Sequence, residues 1–318
     1  MTCSKFVAFV CAATLTQGCA GSAGTHGPVL PATRPMGRAA LAGNGKIAFR
    51  INVTAGGKTT ANIYLMSSEH ANPASPTKLL RLTNTAWNDQ ASWSPDGTKI
   101  VYTQESSYNG TASRIVVMSA NGSHKKALTT FADMDSVPCF SPDGTKIAFR
   151  RDQSGTQQIF VMNADGSNPA YVTDGISPVW SPDGTWIAYS NGNIWAIHPD
   201  GTGAHAITNV AAGAFEPAWS PDGTQISFTS STGGSTNVWL VNPDGTNVHQ
   251  LTFGAYDLES YWSPDSSMVL YDDWTAAWPN PGSVAHLGVI NRDGTGAAVL
   301  TPHIPNSGIE PAWQPVGT

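Results

Sequence analysis

The sequence predicts an all-β protein, a six-bladed β-propeller of four-stranded antiparallel blades. The string WSPDGT stands at residues 93–98, 180–185 and 219–224, and an aromatic residue in front of Ser-Pro or its equivalent returns about every 40 to 50 residues. A repeat of this length, with turn signals between short strands, is typical of propeller blades. The aromatic positions predict six blades, and they are Trp93, Phe140, Trp180, Trp219, Trp262 and Trp313.

The repeated string itself predicts a tight hairpin. In Ser-Pro-Asp-Gly the proline fixes φ, aspartate suits the next turn position, and glycine supplies a positive φ. The preceding aromatic ends the first strand, where a large apolar side chain can pack between blades. Serine and aspartate also suggest hydrolytic chemistry, but an active site is normally unique. We therefore interpret this string as architecture.

Three further strands follow each hairpin. An alternating segment, such as KIVY at 99–102, predicts the second strand. A nearly continuous apolar run, such as VWLV at 238–241, predicts a third strand covered on both faces. A second hairpin signal, such as NPDGT at 242–246, leads to a fourth strand that ends in an apolar residue and threonine.

The two ends of the chain each supply part of one blade. The last unit stops after its first strand, at about 310–315, whereas the N-terminal unit begins at 45–49 with a second strand. We expect the C-terminal strand to pair with the N-terminal strands at about 45–66. This pairing completes blade one and removes the open edges.

The repeats WSPDGTKIVY, FSPDGTKIAF, WSPDGTWIAY and WSPDGTQISF resemble the TolB-type β-propeller repeat, a relative of the WD repeat, over about residues 43–318. The resemblance implies the propeller fold. TolB proteins carry an α/β domain ahead of the propeller, where this sequence shows only a tether, so a role in the Tol complex is not implied. Peptidase relatives carry a hydrolase domain with GxSxG, and this sequence contains no such motif.

The N-terminal residues predict export. Residues 1–19 place Lys5 before an apolar run and small residues, as in a secretory signal peptide too short to span a membrane. Cys19 leaves two alternatives, a lipoprotein signal with lipidation at Cys19 or cleavage near Ala23. Residues 20–42 are predicted to be a flexible linker and residues 43–318 the propeller. The protein is thus expected to be periplasmic, secreted or anchored to a membrane only through a lipid at Cys19.

Composition excludes several partners and cofactors. Charged residues make up 12% of the chain and the formal net charge is -6, so the clustered Lys and Arg of a nucleic-acid-binding protein are missing. No HExxH, paired CxxC, P-loop or dinucleotide motif occurs in the sequence. We expect a monomer without a cofactor; the one alternative is Ca²⁺ at the channel mouth, which is described below.

Most acidic residues outside the hairpins map to one end of the propeller. We call this end the top face; it carries the loops between second and third strands and the links between blades, and the opposite end is the hairpin face. Three positions before the repeat aromatic, the units carry Glu310, Gln90, Val137, Ser177, Glu216 and Glu259. Glu216, Glu259 and Glu310 fall on adjacent blades at the channel mouth, where Gln90 joins them. They could hold Ca²⁺, or each could accept hydrogen bonds from a neighbouring blade.

Loop lengths also break the symmetry of the top face. Blade six inserts residues 272–283, with Trp274 and Trp278, which could stack on a sugar or peptide or simply pin their own loop. Blades one and two have long loops at 55–60 and 106–112, and blade four has only Asn191-Gly192.

Two functions fit this pattern. The first is a non-catalytic binding module whose acidic top face engages a protein, peptide or glycan of the cell envelope. The second is a lyase or hydrolase that acts on a carbohydrate or lactone at the channel mouth. The aligned positions show carboxylates but no histidine or tyrosine to complete a catalytic set, so the sequence favours binding.

Overall fold

The computed structural model describes residues 45–55, 58–67, 79–84, 87–106, 112–274, 285–300 and 307–315. All of them belong to one compact unit, Pro35–Thr318. The predicted signal peptide, the linker, Cys19 and Trp278 lie outside the described residues. Within these ranges no helix is long and apolar enough to cross a membrane.

The described strands form six blades of four strands. Blade one contains β24 (Ser307–Trp313), β1 (Lys46–Ala55), β2 (Lys58–Ser67) and β3 (Leu80–Arg81). Blade two contains β4 (Trp87–Trp93), β5 (Lys99–Glu105), β6 (Ser113–Ser119) and β7 (Lys126–Ala127). Blade three contains β8 (Asp135–Phe140), β9 (Lys146–Gln153), β10 (Thr156–Asn163) and β11 (Ala170–Asp174).

The remaining blades repeat this order. Blade four contains β12 (Ile176–Trp180), β13 (Ile187–Asn191), β14 (Asn193–Ile197) and β15 (His205–Ala206). Blade five contains β16 (Phe215–Trp219), β17 (Ile226–Ser230), β18 (Asn237–Val241) and β19 (His249–Gln250). Blade six contains β20 (Tyr256–Trp262), β21 (Met268–Trp274), β22 (Ala285–Asn291) and β23 (Ala298–Val299). The all-β, six-bladed prediction is confirmed.

The chain termini meet in blade one. Strand β24 pairs antiparallel with β1, with Trp313 opposite Ile47 and Ala312 opposite Ala48. Beyond the strand, the backbone amide of Gln314 donates to the backbone carbonyl of Lys46 at 2.7 Å. The strand begins at Ser307, three residues earlier than the sequence predicts.

The Ser-Pro-Asp-Gly hairpins use their polar side chains internally. In blade two, Ser94 Oγ donates to Asp96 Oδ1 at 2.6 Å, and the Thr98 amide donates to the same oxygen at 3.0 Å. Gly97 has a φ of 65°, the left-handed conformation that glycine adopts without strain. The same Ser-to-Asp bond recurs in the next four hairpins, at 2.5 to 2.6 Å. Serine and aspartate here build turns.

Apolar side chains fill the space between successive blades. One core cluster joins Ile194 and Ile207 of blade four to Ile226 and Phe228 of blade five. The repeat tryptophans pack at these boundaries. Trp93 Nε1 donates to the Ala312 carbonyl of blade one, and Trp262 Nε1 donates to the Ala218 carbonyl of blade five, each at 3.1 Å.

Two loop predictions are wrong. The segment 55–60 of blade one is not a long loop, because β1 runs to Ala55 and β2 resumes at Lys58, opposite it. In blade four the connection is shorter than two residues: Asn191 pairs with Asn193, which leaves Gly192 alone between the strands. Continued cross-strand pairing explains both differences.

Candidate functional site

A β-bulge interrupts the first strand of every blade three residues before the repeat aromatic. At this position the pairing register shifts and the backbone turns to positive φ, between 49° and 54°. Positive φ is uncommon for residues other than glycine. The residues that adopt it are Glu310, Gln90, Val137, Ser177, Glu216 and Glu259.

The bulge turns backbone amides toward the preceding blade. The Glu216 amide donates to Ser190 Oγ at 3.0 Å, and the Glu259 amide donates to Thr229 Oγ1 at 3.3 Å. The Glu310 amide donates to Asp272 Oδ1 at 3.2 Å. The three acceptors occupy the same position in the second strands of their blades, directly after the strand's aromatic residue, and Arg50 occupies this position in blade one. At each of these three boundaries, the bulge residue of one blade therefore contacts this second-strand residue of the preceding blade.

The bulge side chains also reach across blade boundaries. Glu310 Oε2 accepts the Gln90 amide of blade two at 2.6 Å, and Gln90 Oε1 accepts the Val137 amide of blade three at 3.0 Å. Within blade five, Glu216 Oε2 accepts a hydrogen bond from Thr229 Oγ1 at 3.1 Å. The bonds made by Glu310 and Gln90 match the second alternative given above, in which these side chains accept hydrogen bonds from a neighbouring blade instead of binding Ca²⁺.

Arg50 lies among the predicted glutamates. Its Nη1 is 3.0 Å from Asp89 Oδ2 and 3.7 Å from Glu310 Oε1. It also interacts electrostatically with Glu259 and Asp272, and Glu259 with Glu216. We name this set the channel cluster: Arg50, Asp89, Glu216, Glu259, Asp272 and Glu310. Four of its five carboxyl groups thus share one guanidinium, and Glu216 joins the set through Glu259.

Burial makes these carboxyl groups hard to ionise. It is the main cause that raises the pKa of Glu310 to about 8, against the opposing effect of Arg50. Burial, followed by the neighbouring carboxylates, raises the pKa values of Glu259 and Asp272 well above their usual range. Burial also raises the pKa of Glu216. At neutral pH the cluster therefore retains protons.

Sequence reasoning missed two members of this region. The sequence assigns no role to Arg50, although its alignment with Asp272 and Thr229 would have placed it beside the bulges. Tyr261 was missed because it follows Glu259 by two residues, outside the aligned acidic position. Burial, and then Glu259 and Glu310, raise the pKa of Tyr261 well above 10. The phenol therefore stays protonated at neutral pH, at a position outside the aligned residues in which the sequence shows no histidine or tyrosine.

The geometry offers little to a calcium ion. Arg50 already neutralises part of the cluster, and Glu216 and Glu310 accept hydrogen bonds from neighbouring residues. Among the described residues no three Asp, Glu, His or Cys side chains are placed to hold a metal ion. Ca²⁺ binding by Glu216, Glu259 and Glu310 stays a prediction.

Calorimetry with Ca²⁺ tests this prediction. The wild type should show a heat of binding that a Glu216→Gln/Glu259→Gln/Glu310→Gln variant lacks, and equal traces for the two proteins would end the hypothesis.

Arginines neutralise much of the remaining acid of the described top face. Arg151 contacts Asp135 at 2.7 Å and Asp133 at 3.6 Å, and Arg150 contacts Asp152 at 3.2 Å. Glu216, Glu259, Asp272 and Glu310 lie on blades five, six and one. In the same sector, the half-buried Trp274 ends β21, where it pairs with Tyr256 and Ala285.

The repeat matches a known family. Residues 91–193 and 174–318 match the family model described as the TolB beta propeller domain. The chain belongs to the TolB β-propeller family. These matches cover more than half of the sequence and include all six repeat aromatics.

Solved structures with the same fold have different roles. TolB from Acinetobacter baumannii superposes with a TM-score of 0.73 at 20% identity, over 86% of this chain and 67% of that one. An oligogalacturonate lyase from Vibrio parahaemolyticus superposes with a TM-score of 0.54 at 14% identity, over 81% of this chain and 80% of that one. A chain of a nidogen/laminin complex superposes with a TM-score of 0.64 at 13% identity, over 85% and 98%. At these identities the likeness concerns the fold alone.

Proposed function

We propose that this TolB-family propeller is a non-catalytic binding module that acts after export, and that its top face engages a protein, peptide or glycan of the cell envelope. The channel cluster carries this proposal. Its five carboxyl groups lie on blades five, six, one and two, and four of them interact with Arg50. Excess acid around a channel mouth favours a ligand with a cationic group.

Proton exchange gives the binding step a physical basis. A cationic group that approaches Glu259 or Glu310 favours their ionised forms, so binding should release protons near neutral pH.

Export is supported by the signal-like pattern of residues 1–19. Whether Cys19 carries a lipid is a separate proposal, which mass spectrometry of the mature N-terminus tests.

A crosslinked pull-down from envelope extract tests the binding function. The glutamine variant at positions 216, 259 and 310 removes three carboxylates and keeps hydrogen-bonding side chains of the same size. The matched control, Asp165→Asn/Asp244→Asn/Asp293→Asn, removes three carboxylates from hairpins on the opposite face. Partners should be captured by wild type and control but lost by the glutamine variant. Capture of the same partners by all three proteins would reject the proposal.

A second candidate function rests on Glu310 and Tyr261. A carboxyl group with a pKa of about 8 can donate or accept a proton near neutral pH, and a protonated phenol can stabilise developing negative charge. A carbohydrate or lactone lyase or hydrolase would use both groups. Cleavage of any member of a glycan and lactone panel by wild type but not by Glu310→Gln would favour this function over binding. Inactivity of the wild type across the panel would count against it.

A further inference from the structure

A cleft on the hairpin face separates blades three and four. It has a volume of about 400 Å³ and is lined by Asp143 and Lys146 of blade three and by Trp180 and Asp183 of blade four. A volume of this size is within the range of small-ligand sites. The cleft lies on the face opposite the channel cluster, so its ligand is independent of the function proposed above.

The repeat supplies an internal template for this cleft. Residues 141–146 of blade three align with residues 220–225 of blade five, and Trp180 of blade four aligns with Trp262 of blade six. The cleft between blades three and four therefore has the same construction as the boundary between blades five and six. The two differ in what fills them.

Between blades five and six, a guanidinium occupies the boundary. Arg292 Nη1 lies 2.6 Å from Asp222 Oδ2, and Arg292 Nε donates to Gln225 Oε1 at 2.7 Å. Its Cζ lies 5.4 Å from the ring centroid of Trp262, close enough for a cation–π interaction. Carboxylate, amide and indole thus form a complete guanidinium site.

Blade four has no arginine at the matching position. Arg292 directly follows Asn291 at the start of its hairpin, and the equivalent residue in blade four is Pro199. Asp143 can accept a guanidinium as Asp222 does. Its Oδ1 accepts hydrogen bonds from Ser141 Oγ and the Thr145 backbone amide, whereas its Oδ2 accepts only from Thr145 Oγ1. Lys146 replaces Gln225, and its Nζ is held against Asn163 Oδ1 at 2.7 Å.

The other boundaries do not reproduce this combination. Between blades two and three the aromatic is Phe140 rather than tryptophan. Between blades four and five, Trp186 stands at the position of Lys146 and stacks on His198 at 3.8 Å. The boundary between blades four and five also combines a tryptophan, Trp219, with an aspartate, Asp183, and it has Pro243 at the matching position. It differs from the cleft between blades three and four in that Trp186 replaces the lysine beside the aspartate.

We propose that the cleft between blades three and four binds the arginine side chain of a polypeptide partner. The guanidinium stacks on Trp180 and donates hydrogen bonds to Asp143, as Arg292 does with Trp262 and Asp222. Asp183, on the next hairpin, adds a second carboxylate beside the charge. The partner thus supplies the residue that blade six carries in its own sequence.

NMR titration of the full propeller with blocked peptides tests this site. The tryptophan indole signals report on binding, and the probes are acetyl-Ala-Arg-Ala-amide, its lysine analogue and its citrulline analogue. We expect the Trp180 signal to shift with the arginine peptide, with an affinity at least about tenfold higher than for either analogue. Equal affinities for the three peptides, or no shift of Trp180, would overturn the proposal.

Variants copied from blade six provide the matched controls. Pro199→Arg/Lys146→Gln reproduces the Arg292 and Gln225 arrangement and should fill the cleft, which abolishes peptide binding without changing Asp143 or Trp180. Arg292→Ala should open a second site, seen as a peptide-dependent shift of Trp262. Asp143→Asn retains the hairpin acceptor and should weaken binding about tenfold even if the double variant does not fold. Unchanged binding by a folded double variant, or by Asp143→Asn, contradicts the proposal.

Discussion

Arg50 is the residue on which the channel cluster most depends. Its Nη1 contacts both Asp89 and Glu310, and it is the one cation in a cluster of five carboxyl groups. Arg50→Met should lower the free energy of unfolding by about 3–5 kcal/mol at pH 8, as expected when one partner of a buried ion pair is removed. Urea denaturation at pH 8 and pH 5 measures the loss.

The loss should be smaller at pH 5. The pKa of Glu310 is raised, so its native carboxyl is protonated well below pH 8 and no longer needs Arg50. A raised carboxyl pKa adds stability at low pH, and this contribution is lost as pH rises toward 8. Arg114→Met is the control, because that guanidinium bonds Gln104 and lies 4.4 Å from the Phe131 ring centroid. An Arg50 deficit as independent of pH as that of the control would contradict this account.

At the scale of the element, the hairpin aspartate should affect stability and not binding. Asp96→Ala removes the acceptor of Ser94 Oγ and the Thr98 amide, so we expect a loss of about 1 kcal/mol in the free energy of unfolding. Asp96→Asn keeps an acceptor and should lose less. Thermal and urea unfolding of the two variants measure the difference. A loss of partner capture in folded Asp96→Ala would show that the hairpins do more than build turns.

The repeat predicted the strands and hairpins because their residue types encode local geometry. Proline and glycine fix the turn at residues 94–97, and alternating apolar side chains fix the second strands. The bulges were not predicted, since Gln90, Val137 and Glu216 share no property that signals positive φ. Their amides are satisfied by the preceding blade, so the conformation depends on packing between blades and not on local sequence. Arg50 was missed for a related reason, because its partner Asp89 belongs to the next blade.

At the scale of the whole molecule, the closing strand should control cooperative folding. Strand β24 completes blade one, and its Glu310 and Ala312 bond to residues of blade two. Deletion of residues 307–318 removes both contacts and leaves the edge of β1 unpaired, so we expect the cooperative thermal transition to disappear. Deletion of residues 316–318 alone is the control and should retain it. A cooperative, native-like melt of the longer deletion would refute closure by β24.

Carbon-13 NMR titration of the glutamate carboxyl groups tests most directly whether Glu216, Glu259 and Glu310 form one electrostatic unit around Arg50. Single glutamine variants assign the signals. We predict that Glu310 titrates with an apparent pKa of about 8 and that Glu216→Gln lowers this value, because a repelling neighbour is removed. Three independent titrations near the ordinary glutamate pKa of about 4.3, unchanged by the variants, would contradict the channel cluster.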